Sequence, residues 1–185
     1  MSLELRKTDR RSPEYKEMRR LYKAAFPPAE RAPFFLLAAK ARHKNVDWLG
    51  IYEDGCWAGF FYVITSGDLA YLFYFAVSEA ERGRGCGRRA LEALKRKYKE
   101  KRLFLAVEAL EKEEENYPDR VRRKRLYLNC GFEDLKLKLK EGEVVYEMLG
   151  LGGRVTAAEY KALISSWTGP LLGRLIDMRV LAPAE

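Results

Sequence analysis

The stretch ERGRGCGRRALEALKRKY, Glu81–Tyr98, sets three glycines at alternate positions, Gly83, Gly85 and Gly87, among Arg82, Arg84, Arg88 and Arg89, and then becomes an ordinary helix sequence. A glycine-rich loop that leads into a helix leaves backbone N–H groups without partners, and these converge with the positive end of the helix dipole. Such a place suits an anion, above all a pyrophosphate. Glycine is required there because a side chain would hold the phosphate away or forbid the backbone angles. The arginines add contacts from outside, whereas Lys95, Arg96, Lys97 and Lys99 lie opposite the apolar stripe of the helix and read as a solvated face.

The elements that must hold this loop follow from pattern and turn chemistry. SPEYKEMRRLYKAAFP predicts a helix capped by Ser12 with Pro13 at its first position, and Tyr15, Met18, Tyr22 and Phe26 recur at helical spacing. PFFLLAAKARH reads as a second, shorter helix. DWLGIYED and CWAGFFYVITS are strands around Asp54-Gly55, a strong hairpin signal. LAYLFYFAV, Leu69–Val77, is continuous and aromatic, as expected of a strand buried on both faces. After the loop, Leu91, Leu94 and Tyr98 stripe a helix, and RLFLAVEAL is a further buried strand; the two strands and the helix make a right-handed β-α-β unit. Residues Tyr117–Asn129 read as a helix with Gly131 just past its end. LKLKLK and EVVYEML alternate around Glu141-Gly142, a second hairpin, and TAAEYKALISSW, capped by Thr156, and PLLGRLIDMRVL read as a helical tail. The fold class is therefore α/β, a mixed central sheet flanked by helices, with residues 1–150 as the main domain and 151–185 as a helical extension packed on it.

Composition bounds the function. The 185 residues carry a formal net charge of +8, so an anionic partner fits: nucleic acid, a membrane surface or a phosphorylated small molecule. Charge alone does not choose among them. Cys56, Cys86 and Cys130 are odd in number and widely spaced, which suggests neither a disulfide framework nor a metal site and suits a reducing cytoplasm. MSLELRKTDRRS lacks the apolar core of a signal peptide, and the longest apolar run, Leu69–Val77, is far short of the roughly 20 residues of a spanning helix. The expectation is a soluble cytoplasmic protein with no membrane partner.

Three loop families compete. A Walker loop needs a Gly-Lys-Ser/Thr that the chain lacks. The dinucleotide fingerprint is nearer, since Gly85, Gly87 and Ala90 fit G-x-G-x-x-A and Glu108 lies near the acidic position after the next strand, but SEAERGR separates Val77 from Gly85 and the strand–helix alternation ends too soon. The third fits best. Arg82-Gly83-Arg84-Gly85-Cys86-Gly87 matches R/Q-x-x-G-x-G/A, and RLYLNCGF, Arg125–Phe132, resembles a later LYxxxGF signature. With these two motifs, their spacing and the order of elements, the chain resembles the GCN5-related N-acetyltransferases over most of its length.

That resemblance implies acetyl-coenzyme A as co-substrate and an amine, on a small molecule or a peptide, as acceptor. It places the pyrophosphate on backbone groups of Arg82, Gly83, Arg84, Gly85, Cys86, Gly87 and Arg88. It places the oxyanion donors and the pantetheine arm on the backbone of Phe75, Ala76 and Val77, where the strand before the loop diverges from its neighbour. Tyr127 occupies the signature tyrosine and is expected to protonate the leaving thiolate, a step open to a phenol with a pKa near 10; its alternative is an aromatic packed beneath the loop. Many relatives carry a glutamate at the position of Ala106. Glu108, two residues on and on the same strand face, is the candidate base, or else a strand-end carboxylate paired with an arginine. Relatives often hold an asparagine near position 120, where this chain has Arg120; Asn116, about one turn earlier, is the candidate cofactor contact.

His43 has no patterned partner and reads as structural, and Cys86 as an inert small residue. The acidic run Glu111–Glu115 reads as a solvated segment that could also attract a cationic amine. The expected function is a cytoplasmic N-acetyltransferase with direct attack in a ternary complex. The alternatives are a non-catalytic acetyl-coenzyme A sensor and a basic nucleic-acid-binding regulator; no groove-reading motif supports the latter. The tail from Thr156 is expected to cover the acceptor side or to mediate a homodimer.

Overall fold

Turn chemistry decides where the strands meet. The computed structural model describes residues 2–111, 116–142, 144–172 and 178–181. Asp54 and Gly55 take φ of 48° and 83°, the left-handed pair that matches strand twist in a two-residue hairpin. They join β2 (Val46–Glu53) to β3 (Cys56–Ser66) in antiparallel register.

Two units divide the chain. The first comprises Met1–Thr65 and Leu72–Lys97. Its sheet runs in the order β1, β2, β3, β4, with β1 at Leu3–Lys7 and β4 at Leu69–Val77. The strand β1, antiparallel to β2 from Leu3 opposite Glu53 to Lys7 opposite Leu49, is absent from the sequence reading. Its two leucines are only half-buried, so its alternation is faint. The first helix also begins later than its pattern predicts. α1 spans Tyr15–Ala25, and Ser12 Oγ accepts a hydrogen bond from the Asp9 N–H at 2.9 Å. The serine closes the preceding turn and does not cap the helix.

α1 buries Met18, Leu21 and Tyr22 against an aromatic core that includes Trp48, Phe60 and Tyr74. Buried tyrosines need partners for their hydroxyls. Here those partners are backbone groups of the connection to α2 (Phe34–Lys40): Tyr22 donates to the Ala32 carbonyl, and Tyr74 donates to the Glu30 carbonyl and accepts from the Ala32 N–H, each at 2.9 Å.

The second unit comprises Ser66–Tyr71 and Tyr98–Glu185. Beyond its share of β4, the sheet order is β5 (Arg102–Glu108), β7 (Val144–Leu151), β6 (Glu133–Glu141) and β8 (Met178–Leu181). β7 runs antiparallel to both β5 and β6. β4, α3 (Cys86–Lys97) and β5 follow one another as the predicted strand–helix–strand unit. The tail is helical over α5 (Ala157–Leu172), which Gly169 interrupts at φ 75°. Residues 178–181, read from the sequence as helix, instead form β8 on β6, with Val180 opposite Leu139. An open sheet edge offers ladder partners that outweigh a local helical pattern.

The start of α5 is fastened twice. Thr156 and Glu159 form a reciprocal capping box: Oγ1 accepts from the Glu159 N–H at 3.2 Å, and Glu159 Oε2 accepts from the Thr156 N–H at 2.8 Å. Arg102, at the start of β5, bonds Asp68 through two nitrogens at 2.7 and 3.0 Å, Glu159 at 2.7 Å and the Arg154 carbonyl at 2.6 Å. The guanidinium, together with the Thr156 N–H and hydroxyl, holds the Glu159 carboxyl down from its ordinary 4.5 to about 2.

A depressed carboxyl stabilises the fold fully above its ordinary pKa, and that share is lost as pH falls through the folded value. Glu159→Gln removes it. The difference in Tm between the wild type and this variant is therefore expected to be largest above pH 4.5 and to close toward pH 2. Thermal melts across that range check it, and a difference that stays constant to pH 2 refutes it.

Candidate functional site

In the first unit the site starts with a missing side chain. A Cβ on Gly59 of β3 would stand 2.2 Å from the Ala76 carbonyl oxygen and 3.0 Å from the Val77 Cα. Only glycine lets the end of β4 lie so close. The Ser78 N–H then donates to the Ala58 carbonyl at 2.8 Å, and a 3-10 turn at Glu79–Glu81 carries the chain into the loop. Phe75 packs its ring on Phe61 at 4.5 Å between centroids.

The loop backbone is shaped by Gly83 and Gly85, at φ of 77° and 78°, which a side chain would strain. Gly87 lies inside α3 and has no such backbone requirement. Residues 82–85 are exposed, and the first residues of α3 present N–H groups at a helix start. The loop is tied from behind by Arg89. Its Nε donates to Glu53 Oε1 at 2.6 Å and its Nη1 to the Arg84 carbonyl at 2.9 Å. Arg82 Nε donates to the Val77 carbonyl at 3.3 Å, Arg84 lies 3.9 Å from Glu81, and Arg88 is exposed. The four arginines thus separate into one buttress, Arg89, and three that face solvent. Sequence reasoning missed the buttress because its partner, Glu53, lies 36 residues away.

Cys86 opens α3 and is fully buried. Burial, followed by the neighbouring Glu53 carboxylate, pushes its thiol up to about 11. It stays protonated near neutral pH, as an inert residue should.

In the second unit, Glu108 closes β5 opposite Tyr146 and is 3% exposed. Its Oε2 is 3.0 Å from Arg123 Nη1. Its Oε1 lies 4.0 Å from Arg120 Nε and accepts no hydrogen bond. Arg120, where relatives often hold asparagine, is buried and donates through Nη1 to the Ala109 carbonyl at 3.2 Å, which fixes the end of β5. Asn116 precedes α4 (Tyr117–Asn129). Its carbonyl accepts from the Asp119 and Arg120 N–H groups, while its side-chain oxygen is buried without a partner. Two buried acceptor oxygens, on Glu108 and Asn116, therefore flank the start of this helix.

Tyr127 owes its place to the way α4 ends. The Phe132 N–H bonds the Tyr127 carbonyl at 3.1 Å and the Gly131 N–H bonds the Leu128 carbonyl at 2.9 Å, with Gly131 at φ 89°. These paired bonds are a Schellman stop, and the rings of Phe132 and Tyr127 close it, 5.8 Å apart and edge to face. The LYLNCGF segment thus orients the tyrosine through its own backbone. Burial raises the phenol above its ordinary 10, opposed by Arg123 and aided by Glu108. Glu108, Arg123 and Tyr127 are accordingly one electrostatic group. Residues 112–115 of the acidic run lie outside the described residues.

The acetyltransferase (GNAT) family model matches residues 15–132, which include both the glycine loop and the LYLNCGF segment. No curated protein matches the chain. Among solved structures, an acetyltransferase from the GNAT family of Bacteroides thetaiotaomicron is 23% identical and covers 92% of this chain and 98% of its own, with a TM-score of 0.70. The ribosomal-protein-S18-alanine N-acetyltransferase from Escherichia coli is 17% identical, covering 84% and 97%, with a TM-score of 0.60. A GNAT family acetyltransferase from Elizabethkingia anophelis with acetyl-CoA bound is 11% identical, covering 82% and 98%, at 0.57. At these identities the likeness is one of fold.

The Gly59 contact gives a direct test of how the loop is delivered. Gly59→Ala forces its methyl into a backbone carbonyl that cannot swing aside, and is expected to destabilise the protein by about 1–3 kcal/mol, the range of overpacked cores. Urea unfolding measures this, and an unchanged midpoint would show that β4 can retreat freely.

Proposed function

The chain belongs to the acetyltransferase (GNAT) family, and from that premise we propose that it transfers the acetyl group of acetyl-coenzyme A to a primary amine by direct attack in a ternary complex. The observation that carries this reading is the glycine loop, two left-handed glycines buttressed by Arg89 and opening on the first turn of α3. Backbone N–H groups at a helix start suit a pyrophosphate, and the bare Asn116 Oδ1 suits an amide N–H such as the pantetheine arm carries.

Acetyl-coenzyme A supplies the acetyl group as a thioester, whose C–S bond breaks as the C–N bond to the amine forms. The chain's residues handle charge and protons. Arg82, Gly83, Arg84, Gly85, Cys86, Gly87 and Arg88 hold the pyrophosphate. Backbone groups of Phe75, Ala76 and Val77 orient the arm and the thioester oxygen, where donors count most because charge develops there. Glu108 takes the amine's proton through Oε1, directly or by one water, while Arg123 holds Oε2 and fixes the carboxylate. Tyr127 gives its proton to the departing thiolate, and once the products leave, Glu108 releases the proton it took and Tyr127 regains one, so no net proton is gained or lost. Burial raises its pKa, which keeps the phenol protonated through the working range but makes it a weaker acid than the free side chain, so it donates as the thiolate charge develops beside it.

Acceptor identity does not carry over from the structural neighbours. A panel of amino acids, polyamines, aminoglycosides and peptide N-termini, assayed for free coenzyme A, is the experiment that tests the activity. Release above the hydrolysis background with at least one amine is expected. Binding of acetyl-coenzyme A with no turnover on any amine would favour a sensor on the same fold.

Gly85→Asp is expected to abolish acetyl-coenzyme A binding in a folded protein, because its Cβ would stand 3.1 Å from Arg89 Nη1, displacing the buttress, and would strain the left-handed backbone that shapes the loop. Calorimetry reads the affinity and circular dichroism the fold. An unchanged Kd would remove the loop assignment.

Glu108→Gln and Tyr127→Phe are each expected to lower kcat by roughly 10²-fold or more, the scale of a lost general base or acid, with the Kd for acetyl-coenzyme A near wild type. The direction of the Tyr127 shift also forbids an alkaline loss of activity from this group below about pH 10. Wild-type turnover in either variant would return that residue to a packing or ion-pair role.

A further inference from the structure

Net charge alone does not select a partner, but its placement narrows the choice. The first unit holds 19 Lys and Arg against 11 Asp and Glu, and the second holds 16 against 16. The whole excess of +8 therefore lies in the first unit. Part of it surrounds the glycine loop. Another part is gathered on α1, where Lys16, Arg19, Arg20 and Lys23 recur at i, i+3, i+4 and i+7 and are all exposed. Arg10 and Arg11 are exposed in the turn just before it. Among the described residues none of these six side chains forms an ion pair, although carboxylates elsewhere in the unit take Arg6, Lys7, Arg84, Arg89 and Lys97. Glu17 is the one acid exposed on the helix.

We propose that the exposed face of α1, with the turn before it, is a docking surface for the phosphate backbone of a nucleic acid. Lys16 to Lys23 spans about 10 Å of helix, the axial length of about three phosphates in one strand. Like charges set one turn apart destabilise an isolated helix; a run of phosphates relieves that repulsion. The chemistry of the face favours a nucleic acid over the other polyanions. A membrane surface takes an amphipathic helix through its apolar side, and the apolar side of α1, Met18, Leu21 and Tyr22, is buried in the core. An acidic peptide needs aromatic or aliphatic anchors for affinity, and the exposed face offers only Ala24. Phosphate contacts need cations alone and no groove-reading motif.

The test is fluorescence anisotropy of a labelled 20-nucleotide single-stranded RNA from 50 to 200 mM KCl, with saturating coenzyme A. On the function proposed above, coenzyme A occupies the arginines of the loop, which then do not contribute. A variant carrying Lys16→Gln, Arg19→Gln, Arg20→Gln and Lys23→Gln is compared with wild type, and circular dichroism confirms that it is folded. Wild type is expected to bind at 50 mM KCl. The variant should bind at least about tenfold more weakly, with the slope of log K against log salt reduced by about 3, four contacts at roughly 0.7 each. Absence of RNA binding at 50 mM, or the same slope in the variant, overturns the proposal. So does preferential binding of poly-L-glutamate or of phosphatidylserine vesicles. Failure of coenzyme A to bind would instead sink the acetyltransfer reading and leave this one standing on the RNA titration.

Discussion

A largely covered carboxylate at the end of β2 organises the first unit. The Glu53 side chain is only 9% exposed and needs a cation, because an uncompensated charge in such a place is strongly destabilising. Arg89, on the second turn of α3, supplies it and in doing so is held rigid. Its remaining nitrogen then reaches the Arg84 carbonyl and fixes the loop. The same carboxylate adds to burial in pushing the Cys86 thiol up. One ion pair thus links the hairpin end of the sheet, the shape of the anion loop and the first turn of its helix. The glycines permit the loop conformation; the Glu53–Arg89 pair selects it.

The second unit is built around a different compromise. Glu108 is held by Arg123 at one oxygen and left without a hydrogen bond at the other. A carboxylate tied at both oxygens would be a structural residue and nothing more, while a wholly free one could not stay buried in a fixed position. Arg120 and the Schellman stop at Gly131 hold the two ends of α4, so that Arg123 and Tyr127, four residues apart, face the end of β5 together. The LYLNCGF segment therefore has a structural task, ending a helix, and the proposed proton donor sits inside it.

Charge is distributed as unevenly as the chemistry. The second unit balances its ions and uses many of them internally, as around Arg102 and Glu147. The first unit gathers cations on α1 that form no ion pair among the described residues.

The elements that depend on local chemistry were legible in the sequence. Asp54-Gly55 implied its hairpin, Gly131 its helix stop, Thr156 its cap and the alternate glycines their loop, because left-handed backbone and capping are decided within a few residues. Patterning likewise predicted the order of helices and central strands. Where local signals were faint or contested, distant partners decided. β1 forms because β2 offers an edge, Met178–Leu181 is a strand because β6 does, and Ser12 serves Asp9 instead of a helix. The roles of the charged residues also waited for the fold. Nothing near Arg89 announces Glu53, and nothing in RLFLAVEAL says that Arg123 will take one oxygen of Glu108 and leave the other. Hydrogen-bond geometry along the backbone is a property of neighbours in sequence. The pairing of buried charges and the close approach that Gly59 allows are properties of neighbours in space, and only the tertiary structure brings those together.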